Sequence, residues 1–357
     1  MRTLVVSDLH IGARHERAAL EDERMRSVLA EAVAEADRLV LLGDVLELRQ
    51  GPLRDALAAA SRVLPDLVAG LRPGSEVVLV AGNHDHQLFA GWARRRGFSA
   101  PPVPLELETA VDWMEGEALA VLAAALGGGG ARVRAAYPGV WLREDVYATH
   151  GHQLDCHTTA PGMERLAAGL MGRLLALPAA RLSSPDDYER VLAPIYAWML
   201  AVSELGGPEL DGPDGGSSRA LRILGAGGLR GRALQLGLSG ATAALQRAGL
   251  GELSSDVSGP ALRRGQLRGF GLALERLGLR AGHVLFGHTH RAGPLPQDAP
   301  AEWLAPTGSR LHNSGCWVWE GPRVAGPRPA SDSAYRPGFA IHLDDGEPPR
   351  VSNLLER

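Results

Sequence analysis

The sequence predicts an α/β protein with a largely parallel sheet, interrupted late in the chain by a long helical insertion. Three observations carry this. Over the first 85 residues, short apolar runs alternate with longer stretches of helical character. Those runs, and two later ones, end in Gly, Asp, Asn or His, at the strand ends where open α/β sheets place their ligands. From 153 to 280 the strand signal disappears.

Taken in order, Leu4 to Val6 reads as a strand that exits into Ser7-Asp8-Leu9-His10. Residues 16–36 form a helix, with Leu20, Val28, Leu29 and Val33 as its apolar stripe. Leu39 to Leu42 is a second strand, closed by Gly43-Asp44, and a helix over Leu53 to Leu71 stops at Pro73-Gly74. Val77 to Val80 is a third strand, ending in Gly82-Asn83-His84-Asp85. Leu105 to Leu126 is helix-prone, and Gly127 to Gly130 stops it. Strands follow at Arg132 to Tyr137 and Val146 to Thr149, the latter ending at His150.

The insertion carries Leu166, Leu170, Leu174 and Leu177 on one helical face. Ser184-Pro185-Asp186-Asp187 opens a further helix, with a capping hydroxyl, a first-turn proline and acids on the dipole. That helix holds Val191, Leu192, Ile195, Trp198, Met199 and Val202; a loop over Gly206 to Ser218 and Leu-rich helical text to about 278 follow. Strands resume at His283 to Phe286, leading into Gly287-His288-Thr289-His290, and at Leu311 to Trp319, Phe339 to Leu343 and Val351 to Leu354. Residues 291–310 and 321–337 read as Pro-rich loops.

The 357 residues suffice for one large core or two domains. A net charge of -4 gives no global attraction to nucleic acid or anionic lipid. All basic charge is arginine, since the chain contains no lysine. Two distant cysteines, Cys156 and Cys316, indicate no disulfide framework and fit a reducing, cytoplasmic setting. The N-terminal apolar run is too short for a signal peptide, and no run approaches the ~20 residues that span a bilayer.

The strand ends carry the chemistry. Asp8 and His10, like His288 and His290, are spaced so that both can face one cation. The two oxygens of Asp44 can bridge two metals, Asn83 offers an amide oxygen, and His150 adds an imidazole. Such carboxylate, amide and imidazole donors suit Mn, Fe, Zn or Ni. The set is too large for one tetrahedral ion and fits a pair about 3.5–4 Å apart.

Asp8-x-His10, Gly43-Asp44, Gly82-Asn83-His84-Asp85, His150 and Gly287-His288-x-His290 resemble, in order, the five blocks of the calcineurin-like metallophosphoesterase superfamily. The resemblance implies a four-layer αββα sandwich. Residues 1–152 and 281–357 would form the core, and 153–280 a helical cap inserted in it. It implies that Asp8, His10 and His290 hold one metal, that Asn83, His150 and His288 hold the other, and that Asp44 bridges them. Two divalent ions are the implied cofactors, Mn first, with Fe, Zn or Ni as alternatives. The implied reaction is hydrolysis of a phosphoester or pyrophosphate by a metal-bound hydroxide, with His84 assisting the leaving group and Asp85 orienting His84.

The position of the insertion is similar to that of the UDP-2,3-diacylglucosamine pyrophosphatase group, whose members usually have Arg where this chain has His84. A lipid-linked pyrophosphate handled at a membrane surface is therefore one alternative substrate class. A nuclease is a second, opposed by the acidic charge and the absence of a basic, aromatic-laced stretch. A non-enzymatic scaffold is a third, opposed by the complete set of blocks. Among the remaining groups, His86 and His157 read as solvated or hydrogen-bonded, and Cys156 as buried. His152 reads as either structural or in contact with a ligand or substrate. Glu47 reads equally as a brace for a ligand or as a solvated helix start. Asn313-Ser314-Gly315 resembles the family's late turn behind the metals.

Overall fold

The computed structural model describes residues 1–14, 18–99, 101–160, 162–205, 253–254, 256, 258–319 and 333–356. The expected loop at Gly206 to Ser218, the helical text up to 252 and most of the second Pro-rich loop lie outside the described residues.

Strand β1 (Arg2–Val6) pairs in parallel with β2 (Arg38–Leu42), and β2 with β3 (Glu76–Val80). β3 pairs in parallel with the first half of β5 (Arg132–Arg143), and β4 (Glu108–Val111) lies antiparallel to β5. The second half of β5 pairs antiparallel with β6 (Val146–Thr149). Beyond β6 lie β7 (His283–Phe286) and β8 (Arg310–Asn313), both parallel. β9 (Phe339–Asp344) and β10 (Arg350–Asn353) close the other edge antiparallel. The sheet is thus mixed α/β, with parallel pairs at its centre.

The continuous apolar runs have a direct cause. Alternate residues of β1 to β3 enter two different cores. Leu4, Val6, Leu39, Leu41, Val77 and Leu79 pack with helices α1 (Glu23–Ala34), α2 (Leu53–Val68) and α4 (Ala118–Gly127). Val5, Val40, Leu42, Val78 and Val80 pack with Val140, Leu142, Val146, Ala148 and Leu285 from β5, β6 and β7. On the far side of β7, Val284 and Phe286 pack with Leu267, Phe270 and Leu274 of a helix at Gly259–Arg276. Truncating any of these buried leucines to alanine costs about 2–5 kcal/mol.

Several expectations are corrected. Residues 105–126 do not form one helix. Leu105 to Val111 alternates with period two and yields β4, and Gly116 at φ +86° turns the chain before α4 begins. The first helix starts at Glu23 rather than 16, because Asp22 caps it by accepting from Arg24 N at 2.8 Å. β5 runs on to Arg143, gaining β6 as a new partner where β3 ends. β8 stops at Asn313, where the chain turns through Ser314 and Gly315.

Helices α3 (Ala90–Phe98), α5 (Met163–Leu174), α6 (Pro185–Glu204) and α7 (the one at Gly259–Arg276) complete the described helices. The Ser184 hydroxyl caps α6 as expected, and Asp187 completes a reciprocal capping box with it. Val191, Leu192, Ile195 and Met199 are buried, whereas Trp198 is exposed. On α5 the buried face is Arg165, Ala168 and Gly172, while Leu170 and Leu174 of the expected stripe face outward. Gly172 lets the chain fold back so closely that a Cβ there would meet Leu177 O at 2.8 Å.

Candidate metal centre

Parallel pairing in register brings the ends of β1, β2 and β3 to one edge, and the ends of β6 and β7 meet them there. The loops stay laddered beyond the strands. Asp8 N donates to Gly43 O at 3.0 Å, His10 N to Asp44 O at 2.9 Å, and Gly287 N to His150 O at 3.0 Å. Gly82 and Gly287 allow this closeness, since a Cβ at either would overlap the carboxylate of Asp44 or of Asp8.

Three groups of converging side chains result: Asp8, His10 and His290; His10, Asp44 and His84; Asp44, His150 and His288. His290 Nε2 lies 3.2 Å from Asp8 Oδ1 and 3.2 Å from His10 Nε2. Asp44 Oδ2 lies 3.2 Å from His150 Nε2 and 3.7 Å from His10 Nε2, between the two histidine sets. Asn83 Oδ1 is 3.1 Å from His150 Nε2 and 2.9 Å from His288 Nδ1. Asp8, His10, Asp44, His288 and His290 all have positive φ, and Ala176 is the one other described non-glycine residue that does. Strain of this kind costs of order 1–3 kcal/mol per residue and collects at functional sites.

The rings are anchored from behind. His10 Nδ1 donates to Glu47 Oε2 at 2.9 Å and His150 Nδ1 to Leu42 O at 2.9 Å. Each Nε2 lone pair then points inward. Asp8 Oδ2 accepts from Ser7 Oγ and from His288 N, and Ser7 is held by Ser314 Oγ at 2.7 Å. Asp8 Oδ1 is turned the other way, 3.2 Å from His290 Nε2.

The donor set fits divalent cations. His10 Nε2 faces His290 Nε2 at 3.2 Å, and His150 Nε2 faces Asp44 Oδ2 at 3.2 Å, so imidazole nitrogens and a carboxylate oxygen converge as the donors of a divalent cation would. The Asn83 oxygen faces only acceptors; turned over, its Nδ2 would instead donate to His288, Asp44 and His150. Burial alone would raise Asp44, yet His150 and His84 hold its carboxyl well below the usual range. Burial would likewise depress His150, but Asp44 and Asp8 outweigh it and push the ring up to about 9.

Asp85 does not orient His84. Its Oδ1 accepts from Gly82 N at 2.7 Å, and its Oδ2 from Val45 N at 2.7 Å and Leu46 N at 3.4 Å, so it pins the loops after β2 and β3 together. Burial and the Asp44 charge push it up to about 6. Glu47 takes the place expected for Asp85, accepting from His84 Nδ1 at 2.9 Å. Glu47 is buried in a loop, and is not at a helix start. Burial pushes its carboxyl up, but His84 and His10 prevail and hold it low.

His152 joins none of the three groups. Its buried ring stacks on Tyr137 at 6.3 Å between centroids, and burial with the nearby His150 depresses it. His86 is hydrogen-bonded at 3.2 Å to Glu189 of α6, and His157 at 2.6 Å to Tyr188. Cys156 and Cys316 are both buried, and no disulfide joins them. Sequence reasoning missed Asp155, whose Oδ1 lies 3.1 Å from His288 Nε2. It also missed Arg49, which donates to Asn83 O at 3.2 Å and to Glu164 Oε1 of α5 at 2.8 Å. Nothing local marks either residue, because each partner lies far away in sequence.

Residues 1–170 match the model of the calcineurin-like phosphoesterase family. That stretch, just under half of the chain, is similar to a calcineurin-like phosphoesterase domain. The matched stretch carries the blocks at Asp8, Asp44, Asn83 and His150; His288 and His290 reach the same pocket from beyond it. No curated protein matches the chain. Among the described residues, no helix is long and apolar enough to cross a membrane.

Proposed function

We propose that the chain is a hydrolase that uses two divalent metals to cleave a phosphoester or pyrophosphate bond. The observation that carries this is the position of Asp44 Oδ2, 3.2 Å from a ring of one histidine set and 3.7 Å from a ring of the other. Asp8, His10 and His290 would hold one ion, Asn83, His150 and His288 the second, and Asp44 both. When bound, such ions supply charge neutralisation for the phosphoryl oxygens and a lowered pKa for water, from ~16 toward ~7. With this reading goes the αββα layer order, supported by the alternation of β1 to β3 between two cores. Residues 153–280 are read as a cap inserted in the core.

The remaining work falls to the chain. His84 is turned so that Nδ1 donates to Glu47, leaving Nε2 toward the pocket. A proton delivered from Nε2 to the departing oxygen is worth roughly 10²–10⁴ in rate. Asp85, Ser7 and the backbone ladder hold the loops still, so that the ligands need not reorganise during the reaction.

Manganese is the first ion to try, in a cytoplasmic setting. The test is a substrate panel on the purified, Mn-loaded protein, with a chelated control. It sets an aryl monoester against an aryl diester, dinucleotide polyphosphates and a nucleotide-sugar pyrophosphate. Metal-dependent turnover of one class supports the reading and assigns the bond. Absence of both bound metal and turnover overturns it.

A further inference from the structure

His288 uses both of its ring nitrogens. Nδ1 lies 2.9 Å from Asn83 Oδ1, and Nε2 lies 3.1 Å from Asp155 Oδ1. A neutral imidazole carries one proton, and a carboxylate can only accept. The proton of a neutral ring therefore goes to Nε2, since the Asn83 amide can turn its Nδ2 toward the Nδ1 lone pair and the carboxylate has no donor to turn. His10 and His150 show the same division with the nitrogens exchanged. In each, the outer nitrogen donates to a fixed acceptor, Glu47 or Leu42 O, and the inner one faces the pocket.

Asp155 sits in the turn His152–Cys156, just beyond the end of β6. It is buried, and His288 is its one hydrogen-bond partner among the described residues; Oδ2 has none. A carboxylate enclosed with a single hydrogen-bond partner is costly, and the charge of Arg165 reaches Asp155 only through space. A cation on the far side of the same ring would polarise Nε2–H toward Asp155 and offset that cost. The arrangement is a carboxylate–histidine pair aimed at a metal position.

We infer that Asp155 is a positioning residue: it locks His288 with its proton on Nε2 and so presents Nδ1 as a ligand of the second metal. This rests on the two-metal reading proposed above, but one of its readouts does not.

The experiment uses the full chain, stripped of metal, in wild-type, Asp155→Ala and Asp155→Asn forms. Ring-nitrogen NMR of labelled histidine reports the tautomer of His288, assigned with His288→Gln. Calorimetric titration with Mn(II) reports affinity. Wild type is expected in the Nε2–H form. Asp155→Ala is expected to mix the tautomers and to weaken one class of Mn(II) site about 10- to 100-fold. Asp155→Asn, whose amide oxygen can still accept, should restore most of both. A merely structural role would not move the tautomer. A wild-type His288 protonated at Nδ1 overturns the inference, and this result needs no variant to fold. So does a folded Asp155→Ala protein with wild-type tautomer and Mn(II) affinity. If wild type binds no Mn(II), the two-metal reading fails and the inferred ligand role with it, while the tautomer still reports on the pairing.

Discussion

Glu47 Oε2 accepts from His84 Nδ1 at 2.9 Å, and the same oxygen stands 2.9 Å from His10 Nδ1. One buried carboxylate thus fixes a proposed metal ligand and the proposed proton donor together. In Glu47→Gln one of the two oxygens becomes an NH2 group, so a donor faces either the Arg49 N–H or the two ring N–H groups. We expect kcat to fall about 10- to 100-fold, with a smaller loss of metal affinity. Steady-state kinetics at saturating Mn(II), beside metal analysis, checks this; unchanged kcat would show that the contact is incidental.

His84→Ala should keep its metals and lose turnover by roughly 10²–10⁴. The loss should shrink for substrates whose leaving group is already acidic, since these need no proton. Comparing an aryl with an alkyl ester separates the two cases. Normal kcat on the alkyl ester would remove the acid role of Nε2.

Asp44→Ala should lose metal and activity together, because Asp44 Oδ2 stands between both histidine sets. A loss of several kcal/mol in charge stabilisation corresponds to roughly 10³-fold or more in rate. Chelation of the wild type should reproduce the effect, and Mn(II) should restore wild type but not the variant. A variant that retains two metals by elemental analysis would refute the bridging role.

A histidine pair far from the pocket gives the stability a pH dependence. His283 Nδ1 and His312 Nε2, on neighbouring β7 and β8, are 2.9 Å apart. Burial, then the His283 and Arg310 charges, depress His312 to about 3. An unfolded histidine titrates near ~6.5, so below that pH the unfolded chain binds the extra proton and the folded chain resists it. Stability from this site is full above pH ~6.5 and drains away as pH falls toward about 3. Urea midpoints at pH 7.5 and 5 should fall less in His312→Gln than in wild type. An equal fall in both would assign the acid sensitivity elsewhere.

Much of the core was legible because β1, β2 and β3 are buried on both faces, and such strands read as unbroken apolar runs. The blocks at Asp8, Asp44 and Asn83 stood out because each follows one of these runs. Ser184 announced α6 through local capping chemistry alone. What failed was decided by partners distant in sequence. β4 exists because β5 offers an edge to Glu108–Val111, which helix propensity over-read as helix. Leu170 and Leu174 repeat with helical spacing, yet α5 turns Ala168 and Gly172 inward. Glu47 could not be told from a solvated acid until His10 and His84 closed over it, and Asp155 had no signal until His288 arrived from 133 residues away.

The contacts of α5 and α6 have a consequence for how the chain can be altered. Arg49 ties the Asn83 loop to Glu164, Glu189 holds His86 and Tyr137, and Ser203 donates to Leu48 O at 2.8 Å. Each joint is buried or partly so, and each uses a polar group that would be stranded without its mate. Splicing out 153–280 would therefore not yield a smaller working domain. It would uncover Arg49, His86 and Tyr137 at the rim of the pocket and unfasten the loop that carries Asp44 and Glu47. The strand-end loops and helices α5 and α6 are interdependent through these joints, and in this protein they have to be exchanged, shortened or grafted as one piece.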